Sequence, residues 1–222
     1  MQNQLRHCVC NDIPRTVILA NGAFPQSAKT LSILATAQRL VCCDGAAQQA
    51  LEHSYVPDLI VGDLDSLSSE LREKYSDRIV CLSEQETNDL NKAFQVCLAN
   101  GWRKLTILGA TGRREDHTLG NIARLVDFAK ETPDIQLVTD DGTFFVASCS
   151  GGIFITEPRA QVSIFSFDPE QEITSHGLKY PLTAMRLNRW YQATLNETLE
   201  QEFSLDFTKD TPILIYIADE RK

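Results

Sequence analysis

At 222 residues, with 43 % hydrophobic and 23 % charged residues and a formal net charge of −9, the chain has the composition of one large or two small globular domains, and disorder is excluded. So much negative charge sets aside nucleic acid and anionic membrane surfaces as partners. No run approaches the roughly 18 apolar residues of a membrane span, the first fifteen residues hold no apolar core of a secretory leader, and the seven cysteines are odd in number, several of them (Cys42, Cys43, Cys81, Cys97) inside apolar runs, which reads as buried reduced thiols of a cytoplasmic protein.

The first two thirds alternate two periods. Apolar, β-branched runs at 16–20, 40–43, 59–61, 79–82, 105–108 and 135–138 predict strands. Between them lie helical patterns around 28–37, 46–53 and 69–75, and two longer stripes. One is Leu90, Ala93, Phe94, Cys97 and Leu98; the other is Leu119, Ile122, Ala123 and Val126. Strand–helix alternation predicts a mainly parallel sheet with flanking helices, a Rossmann-like α/β domain over residues 1–142. Beyond Gly142 the runs at 143–147, 153–156, 162–167, 203–207 and 213–217 are short and β-like with turns between them, which predicts a small all-β sandwich over 143–222.

In an open parallel sheet, ligands bind beyond the carboxyl ends of the strands, so the residues that follow each strand matter most. They are Asn21-Gly22, Asp44-Gly45, the run Gly62-Asp63-Leu64-Asp65-Ser66, the run from Glu84 to Asp89, and Gly109-Ala110-Thr111-Gly112 followed by Arg113, Arg114 and Asp116. Carboxylates gathered at one edge repel one another unless a cation sits among them, and oxygen ligands without His or Cys favour Mg²⁺ or Ca²⁺. Asp63 and Asp65, two apart, share a face in extended chain; as a plain turn the same run would cap the next helix. Asp89 and Lys92 are i, i+3 neighbours at a helix start, suited to a phosphate–metal site or to an ordinary surface pair. Arg113 and Arg114 beside a glycine loop suit bidentate phosphate binding, or form a solvated pair with Glu115 and Asp116. His117 is a possible acid or base, or simply a helix-start residue.

Cys43-Asp-Gly-Ala-Ala-Gln48, Gly62-Asp-Leu-Asp-Ser66, Asn88-Asp-Leu-Asn-Lys92, Gly109-Ala-Thr-Gly-Arg-Arg-Glu-Asp-His117 and Gly177-Leu-Lys-Tyr-Pro-Leu182, in this order, closely resemble the thiamine pyrophosphokinase family. The resemblance implies an N-terminal α/β domain handling ATP and Mg²⁺ and a C-terminal β-sandwich helping to hold thiamine. It also implies a homodimer with its active site between subunits, and transfer of the pyrophosphoryl group of ATP to thiamine, giving thiamine diphosphate and AMP. On the matching positions it makes Asp63, Asp65 and Asp89 the metal acids, and Lys92, Arg114 and Asp116 catalytic with them. It gives Asn21, Asp44, Gln85, Lys92, Thr111 and Arg114 to ATP. It gives Asp44, Tyr180 and Asn196 to thiamine. Ala46, Arg113, Glu115 and Leu195 depart from the family pattern.

Elementary chemistry agrees with that expectation. Pyrophosphoryl transfer needs positioning and charge cancellation more than covalent work from the protein. Lys92 and Arg114 would meet charge on the transferred group or on AMP, and Asp44 or Asp116 would orient or deprotonate the thiamine hydroxyl. Tyr180 would stack on the thiamine cation. Two alternatives stand beside it: a nucleotide- or thiamine-binding module without catalysis, and the same transfer to another hydroxymethyl acceptor such as a pterin. The net −9 also acquires a role, since residues 40–120 hold 13 Asp and Glu against 8 Lys and Arg. Such acidity excludes a polyanion bound by bulk charge but not ATP delivered with Mg²⁺, because the ion reverses the local field.

Overall fold

The computed structural model describes residues 6–8, 15–82, 87–148 and 151–219. In chain order the elements are β1 (Arg6–Cys8), β2 (Thr16–Leu19), α1 (Ala28–Ala35), β3 (Arg39–Cys43), α2 (Asp44–Glu52), β4 (Leu59–Gly62), α3 (Ser69–Lys74), β5 (Ile79–Cys81), α4 (Asp89–Ala99), β6 (Leu105–Leu108), α5 (Glu115–Glu131) and β7 (Ile135–Val138). Strands alone follow: β8 (Gly142–Ala147), β9 (Gly151–Ile155), β10 (Gln161–Ser166), β11 (Glu172–His176), β12 (Met185–Arg186), β13 (Asn196–Glu197), β14 (Glu202–Phe207) and β15 (Ile213–Ala218). They form two compact units, one spanning residues 13–140, the other built from residue 141 onward and taking in β1.

In the first unit the strands lie in the order β7-β6-β2-β3-β4-β5, every neighbouring pair parallel. Val17, Ile18, Ile60, Val61, Leu105 and Ile107 are fully buried, as expected of strands covered on both faces. From β2 the chain steps outward through β3, β4 and β5, then returns to β6 on the other side of β2. That reversal opens a crevice at the carboxyl ends of β2 and β6. Helix α4 packs on β2, β3 and β4. Leu90, Ala93, Phe94, Cys97 and Leu98 are all buried, the stripe its sequence predicts, and Asn88 caps it by accepting from Asn91 N–H at 3.0 Å. Helix α5 keeps part of its predicted stripe, with Val126 buried and Ile122 and Ala123 half-buried. Leu119 is exposed, and the buried residues are Leu125, Val126 and Phe128. Phe128 stacks on Phe94 with centroids 3.9 Å apart, and that contact sets the rotation of the helix.

In the second unit β13-β10-β15-β8 form one sheet, and β1-β9-β14-β11-β12 another. Every described pairing within these sheets is antiparallel except β1 with β9, where Arg6 lies opposite Ile153. Phe145, Ile164 and Ile215 of the first sheet and Phe154, Ile173, Phe203 and Leu205 of the second share one buried core, the arrangement of a sandwich. The apolar pattern predicts neither β1 nor β11, β12 and β13. Of the cysteines, Cys42, Cys43 and Cys97 are buried and free, but Cys81, expected inside, is exposed at the sheet's edge strand. No described helix is long and apolar enough to cross a membrane.

Candidate active site

A cavity of about 430 Å³ lies in the crevice of the α/β unit, lined by Asn21 and Gly22 after β2, Asp63 after β4, Asp89 and Lys92 of α4, and Thr111, Arg113 and Arg114 after β6. Its floor is drawn tight where the loops after β2 and β6 are zipped together: Gly22 N–H donates to Gly109 O at 2.6 Å and Ala23 N–H to Thr111 O at 2.8 Å. A Cβ at Gly22 would stand 2.3 Å from Gly109 O, so only glycine permits this approach.

Beside the cavity three carboxylates converge. Asp44, Asp63 and Asp65 each offer an oxygen, and these oxygens lie within 4.8 Å of one another. Asp44 opens α2 and is 1 % exposed. Its Oδ2 accepts from Ser66 N–H at 3.1 Å, while its buried Oδ1 has no hydrogen-bond partner. Gly62 permits this placement, because a Cβ there would lie 2.7 Å from Asp44 Cβ. Leu64, between Asp63 and Asp65, takes a left-handed φ of 71°, a strained state costing on the order of 1 kcal/mol. Arg72 of α3 holds the strained loop, donating from Nε to Leu67 O at 3.0 Å and from Nη2 to Leu64 O. Asp65 N–H donates to Asp63 Oδ1 at 3.3 Å and Ser66 Oγ to Asp65 Oδ1 at 2.9 Å.

Burial pushes the Asp44 carboxyl above its ordinary range. The Ser66 N–H offsets part of that rise, and the negative charges of Asp89, Asp65 and Asp63 add to it. A buried carboxylate with one orphaned oxygen, grouped with two further acids, is the donor set of a hard divalent cation, which would relieve both the desolvation and the repulsion. The residues present therefore fit Mg²⁺. Asp89, expected as a metal acid with Asp63 and Asp65, is not one of these three, but its charge is the largest of the neighbouring ones acting on Asp44. Asp89 instead faces Lys92 Nζ at 3.3 Å, and Lys92 is 4 % exposed. Asp44 starts the helix directly after β3, next to β4 in the sheet, whereas an i, i+3 ammonium on its own helix engages Asp89.

Arg114 and Asp116 form an exposed bidentate pair, Nε to Oδ1 at 3.1 Å and Nη2 to Oδ2 at 2.6 Å. The Arg114 guanidinium, with help from the His117 N–H, holds the Asp116 carboxyl down at about 2. Asn21 accepts at Oδ1 from Gln49 Nε2 at 3.0 Å and from Arg113 Nη1 at 3.1 Å. Thr111 and His117 line the cavity. Asn121 of α5 donates to Ala110 O at 2.9 Å and so ties that helix to the glycine loop. In the β unit, the Tyr180 side chain is exposed and Asn196 is buried. Asn196 grips the Tyr180 backbone on both sides: its Oδ1 accepts from Tyr180 N–H at 3.1 Å and its Nδ2 donates to Tyr180 O at 2.7 Å. Asn196 thus fixes where Tyr180 sits rather than offering its amide to solvent. Gln85 lies outside the described residues. Sequence reasoning does not find Arg72 or Asn121, since an Arg on a polar helix face and an Asn in a helix interior carry no motif.

Two family models match the chain: thiamin pyrophosphokinase, catalytic domain, over residues 30–137, and thiamin pyrophosphokinase, substrate-binding domain, over residues 142–216. Among curated proteins, the chain is 32 % identical to thiamine pyrophosphokinase 1 of Oryza sativa subsp. japonica over 155 residues, which take in 59 % of this chain and 57 % of that one. It is 27 % identical to thiamine pyrophosphokinase of Bacillus subtilis over 178 residues, 76 % of this chain and 82 % of that one. The chain thus spans little more than half the length of the rice relative. Among solved structures, a thiamin pyrophosphokinase family protein from Enterococcus faecalis superposes with a TM-score of 0.77 at 22 % identity, covering 93 % of this chain and all of that one. Thiamin pyrophosphokinase from Candida albicans gives 0.75 at 19 % identity, covering 93 % of this chain and 90 % of that one. At such identities these likenesses speak for the fold.

Proposed function

The chain belongs to the thiamin pyrophosphokinase family, and from that premise we propose that it transfers the β,γ-pyrophosphoryl group of ATP to the hydroxyl of thiamine, with Mg²⁺ as its metal. The bond from the α,β-bridging oxygen to the β-phosphorus breaks, and a bond from the thiamine oxygen to that phosphorus forms. AMP leaves with the bridging oxygen, and the hydroxyl proton is released. The observation that carries the reading is the convergence of Asp44, Asp63 and Asp65, one oxygen buried and unpartnered, beside a cavity walled by Lys92, Arg113 and Arg114.

In this proposal Asp44, Asp63 and Asp65 hold the metal. When bound, Mg²⁺ neutralises phosphate oxygens and orients the triphosphate. Asp89 holds the Lys92 side chain at the cavity wall, where its ammonium meets negative charge on the transferred group. Arg114 serves the nucleotide phosphates, with Asn21 and Thr111 shaping the nucleotide side of the cavity and Gln85 assigned to the nucleotide by the family pattern. Asp116, pinned by Arg114 with its carboxyl held at about 2, is a weak base, so its part is to orient Arg114. A loose transition state asks little of a base. Tyr180 offers its exposed face to the thiamine cation, and Asn196 positions it. The homodimer implied by the family pattern, the division at residue 142 into an ATP unit and a thiamine unit, and a cytoplasmic location belong to the same proposal.

AMP release, measured with ATP, Mg²⁺ and either thiamine or a pterin alcohol, tests the reading. Thiamine-dependent AMP release is expected, with a fall in kcat of roughly 100-fold or more for Asp63→Asn. ATP binding with no AMP release would favour a binding module, and release with the pterin alcohol alone would assign another acceptor.

A further inference from the structure

Three cations line the cavity, and two of them have acidic partners. Lys92 faces Asp89, and Arg114 gives its Nε and Nη2, the edge that grips an oxyanion with two parallel N–H groups, to Asp116. Arg113 differs. Both of its side-chain hydrogen bonds to described residues leave from Nη1, to Asn21 O at 3.3 Å and Asn21 Oδ1 at 3.1 Å. These are neutral oxygens that orient the guanidinium without cancelling its charge. Among the described residues its Nε–Nη2 edge has no partner and no carboxylate pairs with it.

The backbone beneath it is also set in advance. The loops carrying Asn21 and Arg113 are zipped by the two hydrogen bonds from Gly22 and Ala23, and Asn21 is held from the far side by Gln49 of α2 at 3.0 Å. A charged side chain normally retains much rotamer freedom, and ordering it on binding opposes affinity. Here part of that ordering is complete before a ligand arrives. We propose that Arg113 is a phosphate-binding residue of this chain, its Nε–Nη2 edge receiving a phosphate of the adenine nucleotide in the crevice while Nη1 stays anchored to Asn21. The inference rests on the nucleotide reading of the cavity, and adds to it a residue at which the family pattern carries none. It also makes Arg113, rather than the already paired Arg114, the first guanidinium to engage an incoming nucleotide.

The test is calorimetric titration of the whole chain, wild type, Arg113→Gln and Arg113→Lys, with adenosine, AMP and ATP in the presence of Mg²⁺. Arg113 is exposed, so the melting temperature serves as a control and is expected to stay unchanged. Loss of a charge-assisted bidentate contact is expected to weaken AMP or ATP binding by about 10-fold or more in Arg113→Gln. Arg113→Lys, which keeps the charge but not the fork, is expected to fall between. Adenosine, lacking phosphate, is expected to bind all three alike. Equal ATP affinity in wild type and Arg113→Gln overturns the inference, and so does an equal loss for adenosine, which would mean that Arg113 only shapes the loop. A wild-type chain that binds no adenine nucleotide would instead overturn the reading of the cavity itself.

Discussion

Asp44 is a residue whose environment works against its own charge. Its carboxyl is raised first by burial, with the neighbouring acids adding to the rise, so its folded value lies above the unfolded one. The stability it contributes is fully present only below the unfolded value near 3.9 and is lost as pH rises through the raised folded value. Asp44→Asn keeps an oxygen for the Ser66 N–H and removes the charge. At pH 7 without metal the variant is expected to melt roughly 2–4 °C above wild type, the shift that about 1 kcal/mol produces at this size, with the gap closing toward pH 4. Mg²⁺ is expected to raise the wild-type melting temperature by mass action and leave the variant's unmoved. A variant that melts lower at pH 7, or that Mg²⁺ still stabilises, would contradict the assignment. At this scale the sequence displays which acids could gather, since each follows a strand. It does not display which three meet, because the close pass of Gly62 over Asp44 and the left-handed Leu64 are set by backbone geometry rather than by residue type.

Helix α1 illustrates how an element depends on a residue distant in sequence. Asp140, just past the end of β7, accepts from Gln26 and Ser27 N–H, immediately ahead of the helix, and from Thr30 Oγ1, fixing the chain where it enters α1. Burial alone would raise its carboxyl, but the hydrogen bonds from Thr30, Ser27 and Gln26 outweigh burial and hold it low. A depressed folded value means stability that is present above the unfolded value near 3.9 and lost as pH falls through the folded one. Asp140→Asn is expected to cost about 1 kcal/mol at pH 7 and almost nothing near pH 2, which thermal melts across pH would reveal. The sequence predicts α1 and α4 well, yet it cannot anticipate that Asp140 holds the start of α1, because the partners are more than a hundred residues apart. The same cause lies behind the exposed Leu119 at the start of the predicted α5 stripe, where the buried contact is made further along by Phe128 on Phe94, and behind the missed β11. There the core side includes Ser175, a polar residue made tolerable by accepting from Leu182 N–H at 2.8 Å, so no apolar alternation survives to be read.

For the molecule as a whole, every residue lining the cavity belongs to 13–140, and Tyr180 with Asn196 belongs to the other unit. Amide exchange on the intact chain is therefore expected to separate the two proposed substrates. MgATP should slow exchange severalfold in the loops at 21–23, 62–66 and 109–114, and thiamine should do so at 178–182. Protection by thiamine confined to the first unit would refute the role given to Tyr180. The pairing of β1 with β9 has a consequence for how the protein is made. On the ribosome, Arg6 appears about 145 residues before its partner Ile153, a wait on the order of ten seconds at about 5–20 residues per second. During that wait all of 13–140 is synthesised, including β6, which closes on β2 from 89 residues away, while β9 then needs β14 as its other partner. The nascent chain thus presents all of residues 13–140 before β9 exists, and β1 is among the last of the described strands to find its place.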